Sequence, residues 1–188
     1  AWFLNAFASV INSWLPMHGF KAFHEHPSVI YEVAMVQAGG LLVGSLVQLS
    51  IVNYTPRLLQ MRTGFLMCSI MVLVLGLFGL DTYGAFLLAS FFIMLFEQFV
   101  QGSLYLYTPE VFPTSIRVSS FGFCQAGHRI APIVAPHVIS ALDTISFRIT
   151  CLVFASLFLA GFFLSLFLRL ETLNQPLMEE SMLRKLRK

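Results

Sequence analysis

The stretch from Phe99 to Pro136, F-V-Q-G-S-L-Y-L-Y-T-P-E-V-F-P-T-S-I-R-V-S-S-F-G-F-C-Q-A-G-H-R-I-A-P-I-V-A-P, decides how this chain folds. It leaves one long apolar segment, crosses a short loop with two prolines, a glutamate and an arginine, and enters a second apolar segment. That second segment carries His128 and Arg129 near its middle. A charge inside an apolar helix is costly unless it is paired or hydrated, so such a residue predicts a functional site.

The composition excludes an ordinary soluble domain. Of the 188 residues, 57% are apolar and only 11% are charged, whereas soluble domains carry about 25% charged residues. The net charge of +2 gives no indication of nucleic-acid binding. Cys68, Cys124 and Cys151 lie in separate apolar segments without C-x-x-C spacing, so neither a disulfide framework nor a metal site is expected. The chain is therefore predicted to be a membrane protein.

The apolar residues fall into six segments, each close to the length of about 17–25 residues that crosses a bilayer. The segments are 1–16, 29–52, 63–80, 84–107, 118–141 and 147–168. They predict an all-α, polytopic membrane protein with a six-helix transmembrane unit over 1–168, followed by a tail over 169–188. Because the first segment is short and begins without a methionine, we expect the chain to be a piece of a longer protein.

The basic residues predict the orientation, because Lys and Arg collect in cytoplasmic loops. One set of connections holds Arg57, Arg62, Arg117, Arg169, Arg184, Lys185, Arg187 and Lys188. The opposite set holds only Lys21 and Arg148. The tail is therefore predicted to be cytoplasmic, in a plasma membrane or a bacterial inner membrane.

Polar residues follow one face of four segments. These are Asn5, Ser9 and Asn12 in the first, Gln37, Gly40, Gly44 and Gln48 in the second, Glu97, Gln101 and Tyr105 in the fourth, and Gln125, His128, Arg129, Pro132 and Pro136 in the fifth. The third and sixth segments are almost wholly apolar. A polar, polar, apolar order that occurs twice predicts two three-helix repeats, each with two helices lining a polar path and one scaffold helix.

The loop in the opening stretch resembles a known family. Its pattern is Y-x-P-E-x-F-P-T-x-x-R-x-x-G-x-G, carried by Tyr107, Pro109, Glu110, Phe112, Pro113, Thr114, Arg117, Ser120 in place of the first glycine, and Gly122. It is similar to the turn before the penultimate helix of major facilitator superfamily transporters. The branch is that of sugar porters, aromatic-acid and nicotinate carriers, organic-ion carriers and synaptic-vesicle-2-like proteins.

The resemblance implies the C-terminal half of a twelve-helix carrier, built as two inverted three-helix repeats, an organisation for which this superfamily is itself a standard example. It also implies that Glu110, Arg117 and Glu171 belong to a charge network closing the cytoplasmic side. Arg57 and Arg62 lie where the family has further members of that network, although the family's aspartate is missing there. The alternative is that these are solvated loop charges, since an exposed ion pair is worth under about 1 kcal/mol.

Glu97 lies near the middle of the fourth segment, where desolvation would favour its neutral form. A carboxylate that takes up and releases a proton at that depth predicts proton-coupled symport. The alternative is a structural hydrogen bond that Glu97 accepts from Arg129 or His128 of the fifth segment.

Arg129 follows Gly127 and His128 in a G-x-R arrangement that resembles the family's penultimate helix. Its guanidinium could hold a substrate carboxylate through two parallel hydrogen bonds. Pairing with Glu97 is the competing use, and His128 is read more simply as a core histidine. Pro132 and Pro136 each remove a helical hydrogen bond and are expected to loosen this helix.

Several amides could bind a neutral solute such as a sugar, or could simply join helices. They are Gln37, Gln48, Asn5 and Asn12, and Gln101 and Gln125 are further candidates for the substrate or proton pathway. Gly40 and Gly44 have the G-x-x-x-G spacing, which predicts close helix contact. Trp2, Trp14, Tyr54 and Tyr107 are expected in aromatic belts at the membrane interfaces.

The sequence thus predicts a non-enzymatic carrier of a sugar or an organic acid, with a small-molecule solute, a proton, the bilayer and an N-terminal six-helix half as partners. No cofactor, metal or nucleic acid is expected, since His24 and His26 beside Glu25 lack helical zinc-site spacing. Two alternatives remain: a truncated remnant without transport activity, and an intramembrane hydrolase using Ser103 and His128.

Overall fold

The computed structural model describes residues 1–23, 28–79, 82–144 and 146–168, and within these ranges it contains α-helices and no strand. The helices are α1 (Trp2–Phe23), α2 (Ser28–Ile51), α3 (Arg57–Phe78), α4 (Tyr83–Val111), α5 (Arg117–Asp143) and α6 (Phe147–Leu166). The predicted all-α class is confirmed. Glu171 with the rest of the tail, and the loop residues His24, Glu25 and His26, lie outside the described residues.

Four of these helices, α2, α3, α4 and α6, are long and apolar enough to cross a membrane. The other two, α1 and α5, are also long, with 22 and 27 residues, but they carry the polar faces seen in the sequence. Polar side chains lower the mean hydropathy of a helix without shortening it. By length and composition, four of the six described helices therefore fit the prediction of membrane-spanning helices.

Several helices extend beyond the apolar segments at one end or both, so most connections are shorter than the sequence indicates. α1 continues through Pro16 to Phe23, and α3 begins at Arg57, directly after the extended residue Pro56. α4 continues through Pro109 to Val111. Hydropathy detects the part of a helix that matches the bilayer core, whereas the polar turns at each end are equally helical.

α3 packs between α4 and α6. Small residues bring α3 and α6 together: a Cβ on Gly161 would lie 2.6 Å from the ring of Phe65, and one on Gly76 would lie 2.6 Å from Cys151 Cβ. Across the same interface Ser69 Oγ donates to Ala155 O at 2.9 Å. The two apolar helices of the predicted pattern are thus directly packed on each other.

α2 packs against α4 along the predicted G-x-x-x-G face. A Cβ on Gly40 would overlap the carbonyl oxygen of Phe91, and one on Gly44 would lie 2.7 Å from Leu95 O. Only glycine allows the two backbones to approach this closely, so the packing prediction for this pair is confirmed.

α5 packs chiefly against α1 and contacts α4 and α6 less extensively. Its buried residues, Ala131, Ala135 and Ile139, lie one turn apart on a single face. The opposite face, which includes Arg129 and His137, is exposed. The side of α5 that the described part of the chain leaves uncovered thus carries Arg129 and His137 together with exposed apolar residues such as Ile130 and Ile133.

Candidate functional site

An antiparallel row of polar contacts joins α1 to α4; we call it the α1–α4 polar seam. Three of its hydrogen bonds are direct: Trp2 Nε1 to Thr108 Oγ1 at 2.8 Å, Asn5 Nδ2 to Gln101 Oε1 at 2.7 Å, and Asn12 Nδ2 to Glu97 Oε2 at 2.5 Å. As the number rises on α1 it falls on α4, as the antiparallel helices require. The sequence placed Asn5 and Asn12 on one face of α1 and Glu97 and Gln101 on one face of α4, and the structure brings the two faces together.

Glu97 is the charged member of the polar seam and is half-buried. Its carboxylate accepts from Asn12 Nδ2 and is also hydrogen-bonded by the Ser9 side chain, so both of these partners come from α1. The alternative expectation of a bond to Arg129 or His128 is wrong among the described contacts, because α4 turns this side chain toward α1. Amide and hydroxyl donors stabilise the carboxylate but also tolerate its neutral form. A salt bridge, in contrast, would hold it in the charged form.

The seam also contains hydrogen-bond capacity that the described residues do not use. The amide oxygens Oδ1 of Asn5 and Asn12 are buried and accept no hydrogen bond from any residue in the described ranges. An unmet buried acceptor costs about 1–3 kcal/mol, so these two oxygens are sites where water or a polar solute would be stabilised.

A second polar cluster joins α2, α3 and α4, and it contains residues that the sequence did not single out. Ser103 Oγ donates to Gln60 Oε1 at 3.4 Å, and Gln60 Nε2 donates to Thr55 O at 3.3 Å. Gln48 Nε2 donates to Gln98 O at 2.7 Å in the amide orientation that satisfies both of its ends. Gln60 was missed because it lies before residue 63, in a turn that hydropathy assigns to a loop.

Ser103 is fully buried, and its hydroxyl is engaged by Gln60. His128 lies on α5, where its ring packs edge-on against Trp2 with the centroids 5.6 Å apart. A nucleophile and its base must lie within hydrogen-bond reach of each other. The contacts of these two side chains therefore give the hydrolase alternative no support.

The polar residues of α5 lie at the edge of the α1–α4 seam. Gln125 and His128 are half-buried, whereas Arg129 is exposed. His128 Nδ1 has no hydrogen-bond partner among the residues that the structure describes. Arg129 likewise makes no hydrogen bond or ion pair within the described part of the chain, so its guanidinium remains available.

Four of the predicted gating residues lie at the end of the bundle where α3 and α5 begin. Arg57 NH2 and Glu110 Oε1 are 3.6 Å apart, and Arg57 also donates to Val52 O at the end of α2. Arg117 Nε donates to Phe112 O at 3.2 Å within its own turn. The structure therefore pairs Glu110 with Arg57 rather than with Arg117.

Arg62 NH2 donates to Leu168 O at 2.9 Å and to Ser165 O at 3.3 Å. Ser165 lies in the last turn of α6 and Leu168 lies just beyond it, where backbone carbonyls need donor partners from outside the helix. Arg62 thus connects α3 to the end of α6.

The Arg57–Glu110 pair opposes local helix electrostatics. Arg57 is the first residue of α3 and Glu110 lies in the last turn of α4, so each charge is at the end of its helix that the macrodipole disfavours. The dipole term is about 0.3–1 kcal/mol per charge at an exposed terminus. Helix electrostatics therefore do not favour these two charges at these positions, whereas their contact with each other does.

Two aromatic residues are buried where the sequence indicates a membrane interface. Trp2 is 8% exposed, and its ring packs against those of Tyr105, Phe121 and His128. Tyr107 is also 8% exposed. Both side chains are thus covered by neighbouring parts of the protein, and their place in an aromatic belt stays a prediction.

Apolar helices whose polar groups are gathered between them define a multi-pass membrane protein. Residues 20–183 match the family described as "Sugar (and other) transporter", and the chain belongs to this family, in the sugar-porter and synaptic-vesicle-2-like branch of the major facilitator superfamily.

Relatives of this chain include three proteins named "Synaptic vesicle 2-related protein". The chain is 30% identical to the Xenopus laevis protein over 142 residues, which are 73% of this chain and 25% of that protein. It is 31% identical to the Rattus norvegicus and Bos taurus proteins over 88 residues, which are 45% of this chain and 16% of each relative. The chain thus spans about a quarter or less of the curated relatives it matches.

Proposed function

We propose that this chain is the C-terminal six-helix half of a carrier that moves a small polar organic metabolite across a membrane by alternating access, coupled to protons. Residues 1–168 form the transmembrane half, and residues 169–188 form a cytoplasmic tail. The observation that carries the proposal is the α1–α4 polar seam, in which Asn12 and Glu97 meet inside a bundle of apolar helices. Polar side chains inside a membrane bundle commonly line a path for water or solute.

The contacts between helices support two inverted repeats, α1–α3 and α4–α6. If α1 corresponds to α4 and α2 to α5, the packing of α2 on α4 should be matched by packing of α5 on α1, and both contacts are extensive. The mutual contact of α3 and α6 is compatible with such a relation, although the extensive packing of α3 on α4 is matched by less extensive packing of α6 on α1. In this arrangement the solute site lies near the membrane midplane between the repeats.

Glu97 is the proposed proton-coupling group. It has no cationic partner among its described contacts, and both its donors, Asn12 and Ser9, are neutral. A half-buried carboxylate with neutral partners can gain and lose a proton without breaking an ion pair. Coupling requires a group that gains and loses a proton, because the same group must be protonated when it is open to one side of the membrane and deprotonated when it is open to the other.

Arg129 is the proposed contact for an anionic solute. It is exposed on α5 and unpaired in the described structure, and a guanidinium recognises a carboxylate through two parallel hydrogen bonds. The unmet amide oxygens of Asn5 and Asn12 would accept hydrogen bonds from solute hydroxyl groups. Organic acids and sugars are therefore the two solute classes to test.

Uptake of radiolabelled sugars, benzoates and nicotinate by the full-length protein tests both classes. For a carboxylate solute, Arg129→Gln is expected to raise KM about 10- to 100-fold, the equivalent of a lost charge-assisted hydrogen bond of roughly 1.5–3 kcal/mol. Arg129→Lys keeps the charge but not the planar pair of donors, so an intermediate KM is expected. An unchanged KM in Arg129→Gln would remove this residue from the site and favour a neutral solute.

The Arg57–Glu110 pair is the proposed cytoplasmic latch, which favours the state closed on that side. Glu110→Gln is expected to lower the maximal uptake rate several-fold with little change in KM, because the variant alters the conformational equilibrium and not the solute site. Glu32→Gln is the matched control, since Glu32 is exposed and accepts from Tyr83 OH at 2.8 Å, away from Arg57. Equal rates in both variants would show that the pair is only a surface contact.

A further inference from the structure

Pro16 lies inside α1, and a proline there leaves one carbonyl without its helical partner. In an α-helix the N–H of residue 16 would donate to the carbonyl oxygen of residue 12. Proline has no N–H, so Asn12 O is the acceptor that Pro16 leaves unmet. Asn12 is buried at 2% exposure, so water cannot easily replace the missing donor.

A side chain from another helix supplies that donor. Gln37 Nε2, on α2, donates to Asn12 O at 3.0 Å, and this bond is buried. Gln37 is itself 6% exposed, and Gly40, one turn further along α2, holds the α2 backbone against Phe91 of α4. The donor is therefore held at a fixed depth by the close packing of α2.

The same residue that receives this bond also holds Glu97. While Asn12 O accepts from Gln37, Asn12 Nδ2 donates to Glu97 Oε2 at 2.5 Å. A single residue of α1 is thus hydrogen-bonded to α2 through its main chain and to α4 through its side chain. Among the described residues, the Ser9 side chain also bonds to Glu97, and the nearby Cys68 thiol of α3 donates to Ile93 O at 3.7 Å.

We propose that Gln37 is a positioning residue: it takes the place of the backbone donor that Pro16 removes from α1, and thereby holds the Asn12 amide on the Glu97 carboxylate. We call the contact of Gln37 with Asn12 and of Asn12 with Glu97 the joint. The expected effect of the joint on transport rests on the proposed role of Glu97 in coupling, whereas the existence of the joint does not.

The prolines of α5 provide a comparison within the chain. Pro132 and Pro136 leave unmet the carbonyls of His128 and Pro132, and within the described ranges no side chain donates to either. Proline alone therefore does not bring a side-chain donor with it. The bond from Gln37 is specific to the α1 position that also carries the Glu97 contact.

A double-mutant cycle in the full-length protein tests the proposal. Gln37→Met keeps the volume but removes the donor, and we expect it to lower the apparent melting temperature and to reduce gradient-driven uptake about tenfold, the loss equivalent to one buried hydrogen bond. Pro16→Ala restores the N–H of residue 16, so the Asn12 carbonyl regains its helical partner. In that background Gln37→Met is expected to cost much less on both measurements.

Each outcome is decisive. If Gln37→Met lowers the melting temperature equally with and without Pro16, or not at all, the proposed joint does not exist. If the melting temperatures couple but uptake in Gln37→Met is normal, the joint exists and Gln37 does not position Glu97 for transport. A separate experiment tests the proposed coupling: if gradient-driven accumulation persists in Glu97→Gln, Glu97 does not couple transport to protons.

Discussion

In the full-length protein, Glu97→Gln is expected to abolish solute accumulation driven by a pH gradient while solute exchange across the membrane continues. Glutamine keeps an oxygen that can accept from Asn12 Nδ2, so the polar seam retains its contact. It cannot gain or lose a proton in the physiological range. The variant should therefore lose the link to the proton and keep the path for the solute.

The size of this effect follows from the driving force. With one proton moved per solute, a gradient of about one pH unit is worth about 1.4 kcal/mol and supports up to about tenfold accumulation. In Glu97→Gln the inside and outside concentrations should become equal. The measurement is accumulation in proteoliposomes with an imposed pH gradient, beside counterflow exchange without one.

Glu97→Asp and Glu32→Gln are suitable controls. Aspartate keeps the titratable group but shortens its reach to Asn12, so partial coupling is expected. Glu32 is exposed at the start of α2, and removal of its charge should leave accumulation unchanged. Full gradient-driven accumulation in Glu97→Gln would remove Glu97 from the coupling mechanism.

Gly40→Ala is expected to destabilise the bundle strongly, whereas the neighbouring Gly39→Ala is not. A Cβ on Gly40 would overlap Phe91 O and lie 3.2 Å from Met94 Cβ, so α2 must move away from α4. A Cβ on Gly39 would meet only Phe91 Cε2 at 3.8 Å, an ordinary contact. Overpacking of this kind costs about 1–3 kcal/mol, and more where the obstacle is backbone.

The pair is well matched because both substitutions have the same intrinsic effect on helix stability. Alanine is favoured over glycine in a helix interior by about 1 kcal/mol, a gain that both variants share. The measurement is the apparent melting temperature in detergent, with the yield of folded protein after purification. Similar melting temperatures for the two variants would contradict the close α2–α4 contact.

The sequence determined the class of fold because the bilayer imposes a simple physical requirement. Segments such as 84–107 and 147–168 must be helical, since buried backbone groups can find partners only within the segment. Helical periodicity then placed Asn5 and Asn12 on one face of α1, and Glu97 and Gln101 on one face of α4. The loop around Glu110 was enough to indicate the family.

The tertiary structure alone decided which of these faces meet. From the sequence, Glu97 and Arg129 are plausible partners because both lie near the middle of their helices. In the structure α1 packs against α4, so Glu97 is hydrogen-bonded to Asn12 and Arg129 is exposed. Likewise, the sequence shows that Pro16 removes one backbone donor from α1, but only the position of α2 shows that Gln37 donates to the Asn12 carbonyl instead. Periodicity fixes rotation about a helix axis, whereas a hydrogen bond between helices depends on their relative position, which no single segment encodes.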